Sequence, residues 1–365
     1  LVITATLSSL ITNGDSGAQG TGSIHPISSM LVDRAAHTAT LLLNGKVLIT
    51  GGFGQGDNGY RKNAELYDPT ANQFSPTGEM SVARCCHSAT LLPDGKILIA
   101  GGFNGQYLDN AELYDPATGT FSLTGRLTTA RMDHVAVLLD NGKVLLAGGV
   151  GTDWTFLDSA ELYDPATGTF TSTGNMSVPR ESHTVTKLKD GRVLITGGHQ
   201  GRHTAIVIYD SAEIYDPASG EFSATGHLKQ RRHKHDAGLL PDGRVLITGG
   251  SDERDDENAY TSTEIYDPIN GTFTLAAEMP GIRYKHIGTS VLLNNGNELI
   301  AGGARNAVIY DSVQNIFTVV PGDLGTAPLS RLFSTATLLL NGNVLITGGY
   351  GINQNVSGGA WIYSP

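Results

Sequence analysis

The sequence predicts an all-β, seven-bladed β-propeller of four-stranded antiparallel blades. Three repeating features predict it. A Gly-Gly pair closes an apolar run seven times, at Gly51-Gly52, Gly101-Gly102, Gly148-Gly149, Gly197-Gly198, Gly249-Gly250, Gly302-Gly303 and Gly348-Gly349. A tyrosine follows each pair: Tyr67, Tyr114, Tyr163, Tyr215, Tyr266, Tyr310 and Tyr363. These tyrosines recur at intervals of 44 to 53 residues, the length of four short strands and their turns.

Each repeat reads as strands A to D. Strand A is apolar and runs into Asn-Gly or Asp-Gly, as at Asn44-Gly45 and Asp94-Gly95. That pair predicts a two-residue type I′ hairpin. Strand B ends at Gly-Gly and is too apolar for a half-exposed strand, so it is expected between blades. Strand C is the Ala-Glu-Leu-Tyr-Asp-Pro segment of 111–116, ended by its proline. Strand D carries Phe74, Phe121, Phe170, Phe222, Phe273 or Phe317. The seventh repeat ends at strand C. Ile24 precedes Arg34 by the interval that separates Phe74 from Arg84, and Met30 sits where Met80 sits. Ser23–Ser29 is therefore expected to supply the missing strand D and to remove two sheet edges. The division expected is an N-terminal extension over 1–22 and one propeller over 23–365.

A Gly-Gly pair after an apolar strand, then a tyrosine, then an aromatic at this period resembles the kelch repeat, with phenylalanine in place of its strand-D tryptophan. The Arg-x-x-His and Asp-Gly signatures resemble bacterial kelch proteins and the central propeller of galactose oxidase. That resemblance implies a copper-radical site at the start of strand A, with a tyrosine just before the histidine. Here that position holds Ala36, Cys86, Asp133, Ser182, Lys234, Lys285 and Phe333. With the ligand tyrosines missing, no oxidase activity and no cofactor are expected.

Composition narrows the partners. The 365-residue chain carries a net charge of −11, which repels nucleic acid. It has no apolar run long enough for a membrane helix. Cys85 and Cys86 are the only cysteines and are expected as free thiols. They leave the compartment open between secreted and cytoplasmic. The chain is expected to act as a monomer.

Strands alternate in direction, so the B–C and D–A loops share one face. The B–C loops differ between repeats (53–62, 103–109, 150–158, 199–210, 251–261, 304–305 and 350–358), as binding loops on a rigid scaffold do. Tyr60, Tyr107 and Trp154 lie in them. At the start of strand A, arginine precedes histidine by three residues six times: Arg34/His37, Arg84/His87, Arg131/His134, Arg180/His183, Arg232/His235 and Arg283/His286. A residue in nearly every repeat serves the repeat. Each histidine is therefore expected to hold the D–A turn through a backbone hydrogen bond, and each arginine to pair with a strand-C glutamate (Glu65, Glu112, Glu161, Glu213, Glu264). The six histidines are weak metal candidates. Val308 and Trp361 replace the glutamate in the last two repeats, so Arg331 is expected without a carboxylate partner. Arg331, Arg283, Tyr284, Phe333 and Arg34 are accordingly candidate ligand-binding residues beside Trp154, Tyr107 and Tyr60. The function expected is a non-enzymatic module for a protein or peptide. The alternatives are a glycan-binding propeller and a metal-dependent oxidase-like enzyme using the histidine ring.

Overall fold

The computed structural model describes residues 21–55, 59–253, 258–351 and 355–365. Seven four-stranded antiparallel sheets form the ring. Blade 1 runs outward from strand A (Thr38–Leu41) through B (Val47–Thr50) and C (Ala64–Asp68) to D (Gln73–Pro76). Strand B is buried at all four positions, so both its faces pack against neighbouring blades. Val47 and Ile49 of blade 1, for example, share a core cluster with Leu345 of blade 7. On the outside of each of the first six blades the strand-C tyrosine lies against the strand-D phenylalanine, with ring centroids 4.8–4.9 Å apart. The Tyr114 hydroxyl reaches Thr77 Oγ1 of the preceding blade at 2.8 Å, and Tyr163, Tyr215 and Tyr266 repeat this link.

The closing blade is shared by the two ends of the described chain. Its order is Thr335–Leu338, Val344–Thr347, Ala360–Ser364 and then Ser23–Pro26. Ile24 faces Tyr363 in the register that Phe74 holds against Tyr67. The strand ends at Pro26, shorter than the expected Ser23–Ser29, although the Ile27 N–H still reaches the Ala360 carbonyl at 3.0 Å.

The A–B turns differ from the expected type I′. Gly45 has φ 82°, but Asn44 is not left-handed. The Leu42 N–H donates to the Lys46 carbonyl, and the Gly45 N–H to the Leu42 carbonyl. This is a three-residue loop with glycine alone in the left-handed position. The reason is local: Asn44 Oδ1 accepts the Lys46 N–H at 3.1 Å, which holds asparagine at negative φ.

Of the expected extension over 1–22, only its last two residues fall among the described ones. Gly22 leads into the closing strand at φ 63°, packed so tightly that a Cβ there would collide with the Ser364 carbonyl.

Candidate functional site

Five arginines meet their glutamates within the blade: Arg34–Glu65, Arg84–Glu112, Arg131–Glu161, Arg180–Glu213 and Arg232–Glu264, all at 2.7–2.8 Å. Both partners are essentially excluded from water. The second glutamate oxygen accepts a backbone N–H from the loop entering the blade, as from Leu31 to Glu65. Each arginine also donates to the carbonyl of the first glycine of its Gly-Gly pair, Arg34 to Gly51 at 2.7 Å. The pair thus locks the D–A crossover to the B–C corner. Burial pulls these guanidinium pKa values down, and the glutamate opposes it.

The histidines tie blades together by a different bond from the one expected. Five of the six place Nε2 on a hydroxyl of the preceding blade, while His183 and His286 meet a strand-B backbone group, at Ala147 and Thr248. Examples are His37 on Thr347 Oγ1 at 3.0 Å and His286 on Thr248 Oγ1 at 3.0 Å; His87, His134 and His235 do the same. His183 faces a blade whose strand B ends in Ala147 instead of threonine. Burial, reinforced by the nearby arginine, lowers His37, His134 and His286 to about 3 and His87, His183 and His235 well below the usual value. Five of their Nε2 atoms are built into the blade seams, and among the described residues they join no group of three or more potential metal ligands.

The residue two after each of the seven strand-A arginines sits where the chain turns at the channel mouth. All seven of these residues are left-handed: Ala36, Cys86, Asp133, Ser182, Lys234, Lys285 and Phe333, with φ between 48° and 56°. Their backbones form a belt. Ala36 donates to Phe333, Cys86 to Ala36, Asp133 to Cys86, Lys234 to Ser182, Lys285 to Lys234 and Phe333 to Lys285, at 2.8–3.1 Å. The left-handed turn at this position recurs in every blade, yet the side chain varies, with lysine alone occurring twice. A cavity of about 290 Å³ opens inside the belt, bordered by Ala36, Cys86, Asp133, Ser182 and Phe333. Burial, helped by Glu181, raises Asp133 to about 7 against the opposing pull of Lys234 and Cys86. Cys86 Sγ lies 3.2 Å from Cys85 Sγ, and both cysteines are free thiols as expected.

Lys285 Nζ donates to the Tyr350 hydroxyl at 3.1 Å and lies 5.2 Å and 5.8 Å from the ring centroids of Tyr284 and Phe333. Lys234 Nζ lies 5.5 Å from the Tyr284 ring. Around the rim, aromatic rings follow one another: Phe333 to Tyr350 to Phe53, then Tyr60 to Phe103 to Tyr107 to Trp154, with centroids 5.1–6.1 Å apart within each run. The Arg202 guanidinium stacks 3.3 Å above Trp154.

The structure thus places Phe333, Tyr60, Tyr107 and Trp154 along one rim. Tyr284 is buried beneath the two lysines. Arg34 and Arg283 point into their blades. Arg283, lacking a glutamate, donates to the carbonyls of Gly302 and Asn306. Among the described residues Arg331 also meets no carboxylate, as expected. It stacks 4.5 Å from the Trp361 ring and donates to the Leu324 carbonyl at 2.6 Å. Sequence reasoning named Asp133, Lys234 and Lys285 only as occupants of the missing-tyrosine position, and passed over Glu181, His199 and His233. Their signal was variation at the two positions inside a repeating Arg-x-x-His frame, and just after Gly-Gly.

No helix among the described residues is long and apolar enough to cross a membrane. The kelch motif model matches residues 84–127 and 132–177, which are blades 2 and 3. No curated protein matches the sequence. Among solved structures, a fungal alcohol oxidase of the AA5 family in complex with copper is similar at 16% identity and TM-score 0.75, over 95% of this chain and 77% of that one. YjhT is similar at 16% identity and TM-score 0.62, over 80% of this chain and 99% of that one. The belt, where the resemblance would put copper-ligand tyrosines, carries none, and five of the six strand-A histidines are engaged by blade hydroxyls. These residues do not fit that copper centre. The chain is a seven-bladed β-propeller with kelch motifs in its second and third blades.

Proposed function

We propose that the protein is a non-enzymatic binding module that reads a peptide segment at the channel mouth. The belt carries this reading. Left-handed φ costs a non-glycine residue about 1–2 kcal/mol, and here seven side chains of six chemical types adopt it around one opening. A rigid frame with variable side chains is the usual architecture of recognition. The chemistry is uneven round the belt. Lys285 lies beside Phe333 and Tyr350, and Lys234 over Tyr284, so the ligand favoured is a segment carrying a carboxylate next to an apolar or aromatic side chain.

Peptide-display selection against the full chain tests this. The expected result is enrichment of acidic-aromatic sequences that lose binding to Lys285→Glu while the fold is retained. Absence of enrichment, with retention on a glycan array that depends on Trp154 and Tyr107, would replace the peptide reading with the glycan one.

A further inference from the structure

Outside the belt, on the same face, two imidazoles meet in a way that neutral histidines cannot satisfy. His199 follows Gly198 directly, and His233 is the first residue after Arg232. Their Nδ1 atoms are 3.1 Å apart. His233 Nε2 lies 2.9 Å from the Glu253 carbonyl, which only accepts, so that nitrogen carries the proton. His199 Nε2 lies 3.0 Å from Glu181 Oε1, and an ionised carboxylate likewise only accepts. Each neutral ring then turns an Nδ1 lone pair toward the other. Two lone pairs at this distance require a positive centre between them: a proton or a metal ion.

We propose that this pair is a binding site for a borderline divalent metal ion, Zn²⁺ or Cu²⁺, held by His199 Nδ1 and His233 Nδ1. Three features support a metal. An ion bonded to both nitrogens at about 2.0–2.1 Å would subtend roughly 100°, close to tetrahedral. Both rings already donate their outer N–H to an acceptor, one of them a carboxylate, which is the arrangement that orients metal-bound imidazoles. The histidines border a cavity of about 170 Å³, shared with Trp154, Phe156 and Lys234, with room for water at the remaining coordination positions. The backbone fixes the rings independently. Glu181 and His199 exchange N–H to carbonyl bonds at 2.9 and 3.0 Å, and Ser251 Oγ donates to the Glu253 carbonyl at 3.1 Å. Its cavity touches the belt at Lys234, but neither ligand is a belt residue or a strand-A histidine, and the peptide reading needs neither His199 nor His233.

The test is calorimetric titration of the tag-free full chain with Zn²⁺ alone. One ion per chain is expected. His199→Gln should weaken binding by about 100-fold or more, and Glu181→Gln by about tenfold, because Glu181 acts by positioning the ring. His227→Gln, at an exposed histidine, should leave it unchanged. Absence of binding, or binding unchanged in His199→Gln, overturns the proposal. Should that variant fail to fold, ¹⁵N-resolved NMR of the wild type decides. A proton resonance on Nδ1 that persists between the rings at saturating Zn²⁺ overturns the site, and its loss with a shift of both Nδ1 signals supports it.

Discussion

The Arg331 guanidinium lies 4.5 Å from the ring of Trp361, whereas Arg131 meets Glu161 at 2.7 Å in the equivalent place of blade 3. One buried cation is neutralised by a carboxylate, and the other is stacked on an aromatic face and bonded to carbonyls. Removing a carboxylate from a buried pair strands the charge, so Glu161→Ala should cost about 3–5 kcal/mol. Trp361→Ala should cost less, about 2–3 kcal/mol, since Arg331 keeps its bond to the Leu324 carbonyl. Urea unfolding midpoints of the two variants check the order, and a milder Glu161→Ala would contradict it.

Acid should unfold the protein through its seam histidines. His37, His134 and His286 are lowered to about 3, and His87, His183 and His235 are also held well below the usual value. Below about pH 6.5 the unfolded chain binds these protons and the folded chain does not. Their contribution is therefore full above that pH and is lost as pH drops from there toward 3. Asp133, raised to about 7, Glu298, raised to about 8, and Asp236, raised by burial, act in the opposite sense by binding protons in the folded state. Six groups against three leave a net loss on acidification. Unfolding monitored by fluorescence from pH 7.5 to 3.5 should show falling stability below pH 6.5, and a flat profile to pH 4 would refute it.

Closure by the N-terminal strand predicts a large effect from a residue remote in sequence from its partners. Ile24 is buried in a cluster with Tyr363, Val344 and Val320. Ile24→Ala should cost about 2–4 kcal/mol. Deleting the residues before Met30 should lower the unfolding midpoint further by exposing the Ala360–Ser364 edge. An unchanged midpoint in the deletion would mean that the ring closes without this strand.

The repeat made the ring legible because one Gly-Gly, one tyrosine and one strand-D apolar residue per blade each answer a packing need that every blade shares. Ile24 could be placed for the same reason: it fills the slot that Phe74 fills. The site was less legible. Arg34 and Arg283 stood out as charges, yet the structure consumes both inside their blades. Lys234, Lys285 and His233 looked like filler within Arg-x-x-His, and only the left-handed turn shows that successive residues there diverge, one to the channel and one to the B–C corner. The His199–His233 encounter joins positions 34 residues apart in neighbouring blades, a relation that periodicity within one repeat does not express.

The belt's strain can be measured at Ala36, where φ is 48° and the side chain is smallest. Glycine adopts that conformation without the Cβ penalty. Ala36→Gly should therefore be neutral or stabilising by up to about 1 kcal/mol, whereas Ala39→Gly, inside strand A, should destabilise by about 0.5–1 kcal/mol. If both variants lose stability equally, the left-handed belt carries no strain.

Cys86 offers a chemical readout of the mouth. Its thiol pKa is raised, first by its hydrogen bond with Cys85, then by burial and by Asp133. Since the thiolate is the reactive form, alkylation by iodoacetamide should be slow at pH 8. Asp133→Asn removes a neighbouring negative charge and should accelerate it. Asp133 titrates near 7, so the acceleration should be present at pH 8, where the wild-type carboxylate is charged, and fade below pH 7, where it is protonated. Mass spectrometry of the labelled Cys86 peptide gives the rates. Equal rates for wild type and variant at pH 8 would show that Asp133 does not act on the thiol, and would remove it from the electrostatics of the channel mouth.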